Sequence, residues 1–141
     1  MKENVAIRLT TIHKLDGQKE KSQYEYAGIG VKKAGGWFFS YKEQLDEGVS
    51  VQTVIKISED DVTLLRQGGV QMKQVFKAGE QNQSIYQSPY MSFAMETGTK
   101  SLHIEQENAR PASVRIQYRL WMNGQETGEY DLQLSFAWYE K

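Results

Sequence analysis

Residues Ser113 to Lys141, SVRIQYRLWMNGQETGEYDLQLSFAWYEK, carry the pattern on which the fold turns. Val114, Ile116, Tyr118, Leu120 and Met122 alternate with Ser113, Arg115, Gln117, Arg119 and Trp121. After Asn123-Gly124 the rhythm resumes in Tyr130, Leu132, Leu134, Phe136 and Trp138. Successive side chains of a strand point to opposite faces, so this period of two predicts a β-hairpin with one dry face and one wet face. A two-residue Asn-Gly turn would set Leu120 against Thr127 and Tyr118 against Glu129, because a slip of one residue moves every side chain to the other face. The expectation is therefore a five-residue loop, Asn123 to Thr127, with Leu120 facing Tyr130, Tyr118 facing Leu132, Ile116 facing Leu134 and Val114 facing Phe136. Such a ribbon needs apolar partners along its whole dry face.

The rest of the chain supplies them in the same period. Val5, Ile7, Leu9, Thr11, His13 and Leu15 form one face of a first strand, which Asp16-Gly17 turns into a second. There Ala27, Ile29 and Val31 alternate with Tyr24, Tyr26, Gly28 and Gly30; two glycines on one face predict strong coiling or an aromatic ring lying across them. Gly35-Gly36 precedes Trp37, Phe39 and Tyr41, and Asp46-Glu47-Gly48 leads into Val49, Val51, Thr53, Ile55 and Ile57. A helical turn near Tyr41 to Leu45, or at Asp60-Asp61, fits within this count. Val62 to Arg66 follows, then Gly68-Gly69, then Val70, Met72, Gln74 and Phe76. A short strand through Ile85 and Tyr86 breaks at Ser88-Pro89, one strand carries Met91, Phe93 and Met95 to Gly98, and a weaker one holds Leu102 and Ile104. With no helical period and no repeat of fixed length, the prediction is an all-β chain of about eight to ten strands. Up-and-down order with one dry face per strand favours a single antiparallel barrel over a sandwich, because closure removes two adhesive edges.

Composition narrows the function classes. At 141 residues the chain fits one domain, 1–141. Seventeen Lys and Arg against eighteen Asp and Glu leave a net charge of −1, which supplies no field to recruit nucleic acid. The absence of cysteine excludes disulfides and thiolate chemistry and suits a reducing compartment. No stretch has the form of a secretory signal or a membrane-spanning helix, so the expected location is cytoplasmic, with no membrane partner.

Chemistry has few places to sit. His13 lies on the apolar face of its strand and His103 points outward, which gives no convergent ligand set; neither a metal nor any other cofactor is expected. Nucleophile-elbow and phosphate-loop patterns are missing, and Glu105, Glu107, Glu126 and Glu129 read as solvent-facing charge. An enzyme is the least supported class. Polar residues on inward faces carry more information: Arg66, Gln74, Thr53, Tyr41, Tyr118 and Tyr130. An inward guanidinium needs an internal acid or an anionic ligand, unless its stem lines the mouth and its head reaches water. Trp37, Phe39, Trp121, Trp138, Tyr24, Tyr26 and Tyr139 offer a stacking surface, although aromatics in strands are more often core.

At Gly68-Gly69-Val70-x-Met72-x-Gln74-x-Phe76-x-x-Gly79, followed by Tyr86-x-x-Pro89-Tyr90, the chain resembles the YwiB-like bacterial family of unknown function. Val51-x-Thr53-x-Ile55-x-Ile57 and Val62-Thr63-Leu64 extend the resemblance over most of the chain. It implies a lipocalin-like, calycin-type β-barrel, and no catalytic residues. Small barrels of this kind either fill their interior or hold one small ligand. The leading functional expectation is a non-catalytic barrel binding an apolar or amphipathic small molecule, with Arg66, Met72, Gln74, Phe76, Met91, Phe93, Met95, Tyr41, Tyr118 and Tyr130 lining its interior. The alternative is a protein-interaction barrel that uses exposed aromatics.

Overall fold

The computed structural model describes residues 2–45 and 48–140. Ten strands follow one another: β1 (Lys2–Leu15), β2 (Gln18–Lys33), β3 (Gly36–Gln44), β4 (Ser50–Ile57), β5 (Asp61–Gly68), β6 (Gln71–Lys77), β7 (Gln81–Gln87), β8 (Ser92–Glu107), β9 (Arg110–Met122) and β10 (Gln125–Tyr139). Each pairs antiparallel with its sequence neighbours, and β1 closes onto β10 from Asn4↔Tyr139 to Lys14↔Glu129, making a closed barrel. Among the described residues no helix is long and apolar enough to cross a membrane.

The hairpin that fixes the inward face departs from the expected register. The Asn123-Gly124 turn has two residues after all, with Met122 opposite Gln125 and Trp121 opposite Glu126. Both central residues are left-handed, at φ 51° and 79°, as a twist-matched hairpin turn requires. The phase conflict is resolved by a β-bulge at Thr127, after which Leu120 pairs with Gly128, Tyr118 with Tyr130, Ile116 with Leu132 and Val114 with Leu134. One extra residue restores apolar against apolar without lengthening the loop. The Thr127 hydroxyl lies 3.1 Å from the Leu120 carbonyl oxygen and 3.1 Å from the Tyr130 hydroxyl. Gly128 is required beside it: at φ 128° a Cβ would strike the Lys14 carbonyl and the His13 ring.

Two other expectations are revised. The two strands expected between Met91 and Ile104 are one, β8, bent by a register shift between Thr99 and Ser101 that leaves Lys100 as the extra residue. No helical turn forms at Tyr41 to Leu45, because β3 runs on to Gln44; at Asp60-Asp61 a turn closes with Ser58 N–H donating to Asp61 O at 2.9 Å. Of Asp46-Glu47-Gly48, the first two lie outside the described residues.

Inward side chains fill the barrel. Val5, Ile7, Phe39, Ile55, Val62, Phe76, Val114 and Ile116 are each at most 2% exposed. Phe39 stacks on Phe136 at 4.2 Å, and Phe76 meets Tyr118 at 4.8 Å. A ring does lie across one glycine of β2: a Cβ on Gly30 would sit 2.8 Å from two carbons of Trp138, whereas one on Gly28 would meet the Ile7 side chain. That indole is gripped by Trp37 at 5.1 Å, by the Arg110 guanidinium at 4.6 Å and by its own N–H donating to the Pro111 carbonyl at 3.1 Å. Arg110 is held in turn by Glu3 at 2.6 Å, so the end carrying the β2–β3 and β8–β9 turns is stoppered by aromatics and an ion pair. Trp37, Phe39 and Trp138 are thus core, not a stacking surface.

One seam is thin. β6 and β7 share only the pairs Gln71↔Gln87 and Met72↔Tyr86, whereas β5 pairs with β6, and β7 with β8, along nearly their whole length. Across the seam the buried Gln74 amide donates to Thr97 Oγ1 on β8 at 3.0 Å.

Candidate functional site

The polar inward residues collect at the opposite end, where the chain turns between β1 and β2, β3 and β4, and β5 and β6. Their centre is Glu43, a residue the sequence reading missed. The alternation Trp37, Phe39, Tyr41 continues for one more step in β3, and that step points a carboxylate inward. Thr53 lies opposite Tyr41 on β4, and Arg66 opposite Thr53 on β5, so three adjacent strands deliver their polar groups to one spot. The Thr53 hydroxyl donates to Glu43 Oε2, Arg66 Nε donates to the same oxygen at 3.2 Å, and the Tyr26 hydroxyl donates to Oε1 at 3.4 Å. The side chains of Arg66 and Glu43 are 20% and 16% exposed. The internal acid that an inward Arg66 demanded is therefore Glu43, and its head does not simply reach out to water.

Around this pair the tyrosines form a ladder. Tyr24 stacks on Tyr26 at 6.4 Å and Tyr26 on Tyr41 at 4.5 Å, running from the exposed rim to the buried wall. Burial, then the Glu43 charge, raises the pKa of both the Tyr26 and Tyr41 phenols, Tyr41 much further. Both hydroxyls stay protonated at neutral pH and can donate. Glu43 accepts from three groups, the hydroxyls of Tyr26 and Thr53 and the Arg66 guanidinium.

The other expected site residues separate. Met72 stands beside Arg66, Tyr86 beside Met72 and Phe93 beside Tyr86, continuing the inner row of the same end. Phe76 and Met95 are core, at 1% and 3% exposure, and Gln74 is committed to Thr97. Tyr118 and Tyr130 stack at 5.1 Å and His13 stacks on Tyr130 at 4.4 Å, with His13 Nε2 in hydrogen-bond contact with the Thr127 carbonyl; burial drives the Tyr118 phenol upward. Met91 is corrected outright. It lies in the Ser88–Met91 turn, where Ser88 N–H donates to its carbonyl at 2.9 Å, and it is 54% exposed. Among the described residues no group of three His, Asp or Glu converges as a metal site would need.

Concavities of about 600, 600 and 560 Å³ indent the outer wall, lined largely by outward-facing residues such as Arg119, Gln133 and Glu96.

The model of a domain of unknown function, DUF1934, matches residues 7–134. The chain belongs to the DUF1934 family. The uncharacterized β-barrel protein YwiB of Bacillus subtilis (strain 168) is 24% identical over 134 residues, 94% of this chain and 92% of that protein. The crystal structure of the B. subtilis ywiB protein superposes with a TM-score of 0.83 at 22% identity, covering 99% of this chain and 94% of that one. The barrel is thus the DUF1934 fold, and at 24% identity the two proteins are relatives, not one protein.

Proposed function

We propose that this DUF1934 barrel is a non-catalytic binding module that takes one small amphipathic molecule at the mouth bounded by Tyr24, Tyr26, Glu43, Arg66 and Met72. The observation that carries the reading is how Arg66 is held. Glu43 engages its Nε, and the two terminal nitrogens lie outside that contact on a side chain that solvent still reaches. A guanidinium anchored on one edge presents the other to a planar anion, a carboxylate above all. Met72, Tyr86 and Phe93 continue the row and suit the ligand's apolar part. The deeper lumen is occupied by Phe39, Phe76, Phe136 and Tyr118, so the ligand sits shallowly. A cytoplasmic setting and a lipocalin-like mode of binding belong to the same reading.

Thermal-shift titration with a homologous series of alkyl carboxylates, and with the matching alcohols, tests it. The carboxylates should raise the Tm of the wild type and not of Arg66→Gln, with a gain that grows with chain length. Equal response to alcohols, or none to any member of the series, would overturn it. A second reading, a protein-interaction barrel, draws on the β7–β8 turn, where Tyr90 is 90% exposed beside Met91. Self-association lost on Tyr90→Ser would favour it.

A further inference from the structure

Trp121 does not serve the barrel interior. It stands on the outer face of β9, and its six-membered ring lies over Gly98 of β8, 3.3 Å from where a Cβ would be. The same indole lines two of the three concavities. On one side are Ile12, Lys14, Gln81, Gln117, Arg119 and Glu129; on the other are Gln83, Ile85 and Glu96. The two hollows, about 600 and 560 Å³, lie on either side of this ring, a trough interrupted by the indole and running across β1, β10, β9, β8 and β7.

We propose that this trough is a binding site for a neutral saccharide, with Trp121 as its stacking platform. Charge argues for neutrality. The larger hollow sets Lys14, Lys100 and Arg119 against Glu80, Glu129 and Asp131, three cations against three anions, so neither polyphosphate nor a polycation is favoured. Three of these charged groups, Arg119, Glu129 and Asp131, are also paired. Arg119 donates to Glu129 at 2.8 and 3.2 Å, and Arg115 holds Asp131 through two bonds of 2.7 and 3.1 Å. Planar donors beside acceptors match a hydroxyl, which donates and accepts at once. Gln81, Gln83 and Gln117 add amides that do both. An extended peptide fits less well, because β8, β9 and β10 are each paired on both sides and expose no free edge here.

The test is a two-dimensional NMR titration of the three tryptophan indole N–H resonances, assigned by substitution, with maltotriose, cellotriose and tri-N-acetylchitotriose. The Trp121 resonance should shift saturably with at least one of them, with Kd on the order of 1 mM, while those of the enclosed Trp37 and Trp138 stay in place. Trp121→Ala should weaken that affinity by about tenfold or more, as loss of a central aromatic anchor does. Should Trp121→Ala fail to fold, Gln117→Ala and Gln81→Ala, both polar outward residues, should each weaken binding several-fold. No shift of Trp121 with any of the three sugars overturns the proposal. So does binding unaffected by the substitutions, or tighter binding of a sulfated oligosaccharide than of its neutral parent.

Discussion

Replacing Gly30 with alanine should destabilise the barrel through a single methyl group. That methyl would sit 2.8 Å from Cη2 and Cζ3 of Trp138 and 3.2 Å from Cε1 of Phe39. Carbon atoms are comfortable at about 3.5–4.0 Å, so the indole must retreat by roughly an ångström. It has nowhere easy to go, because Trp37, Phe39, Arg110 and the Pro111 carbonyl surround it. Overpacking of this kind costs about 1–3 kcal/mol, from which the lower entropy of an unfolded chain with one glycine fewer returns about 0.4–1 kcal/mol. The mid-range net loss is then about 1.3 kcal/mol. At roughly 2.1 cal/mol/K of unfolding entropy per residue, a chain of this length loses about 4 °C of Tm. Thermal melts followed by far-UV circular dichroism read the Tm, and near-UV spectra read the tryptophan environment. Gly98→Ala is the control: its Cβ would meet Trp121 at 3.3 Å on the outer wall, where the ring can swing aside, and it should cost less than half as much. A Gly30→Ala protein with wild-type Tm and unchanged near-UV bands would refute the reasoning.

Glu43→Ala should cost about 1–3 kcal/mol by stranding the Arg66 guanidinium, and Glu43→Ala/Arg66→Ala should recover part of that loss; additive losses in a double-mutant cycle would show that the pair contributes nothing. Alkaline titration at 295 nm should find Tyr41 and Tyr118 un-ionised well beyond the ordinary tyrosine range. Because their folded pKa values are raised, the stability they contribute is complete below about pH 10 and falls as the pH rises toward the folded values; eight tyrosines titrating together in the folded protein would contradict this. Asp131 has the opposite sign. The hydrogen bonds from Arg115 hold its carboxyl low, so its contribution is complete above about pH 4 and disappears as the pH falls through the depressed value. Asp131→Asn should flatten the acid limb of the stability curve, and an unchanged acid limb would refute the assignment.

The sequence discloses most of the wall, and the reason is the period of two. Val5, Ile7, Thr53, Phe76, Leu134 and Phe136 all point where the alternation puts them, and closure follows from strands that are each dry on one face. Thr127 shows the limit of that logic. A bulge changes phase at the cost of one residue, whereas a five-residue loop does so at the cost of three more, and periodicity alone does not separate them. Lys100 in β8 is the same case, and reading it as a break splits one strand into two. At the site, Arg66 was legible as an inward cation in want of an acid, but Glu43 was not. A charged residue after Tyr41 looks like a strand end, and only the pairing of β3 with β4 and β2 reveals that it points in beside Thr53 and Tyr26. The outer trough was invisible for another reason: Ile12 is distant in sequence from Trp121 and Glu129 and joins them only when β1 docks on β10.

The thin join between β6 and β7 means that the gap between the first and last strands is not where the cylinder is most easily cut. Asn4 lies opposite Tyr139, so a few added residues would bridge the first and last strands across a ladder of eleven pairs. New termini placed at Ala78-Gly79, between strands that share two residue pairs, would remove almost no ladder. A circular permutant opened there and sealed at the old ends should refold as a native-like barrel, whereas one opened at Asn123-Gly124, inside a ladder of ten pairs, should not match its stability.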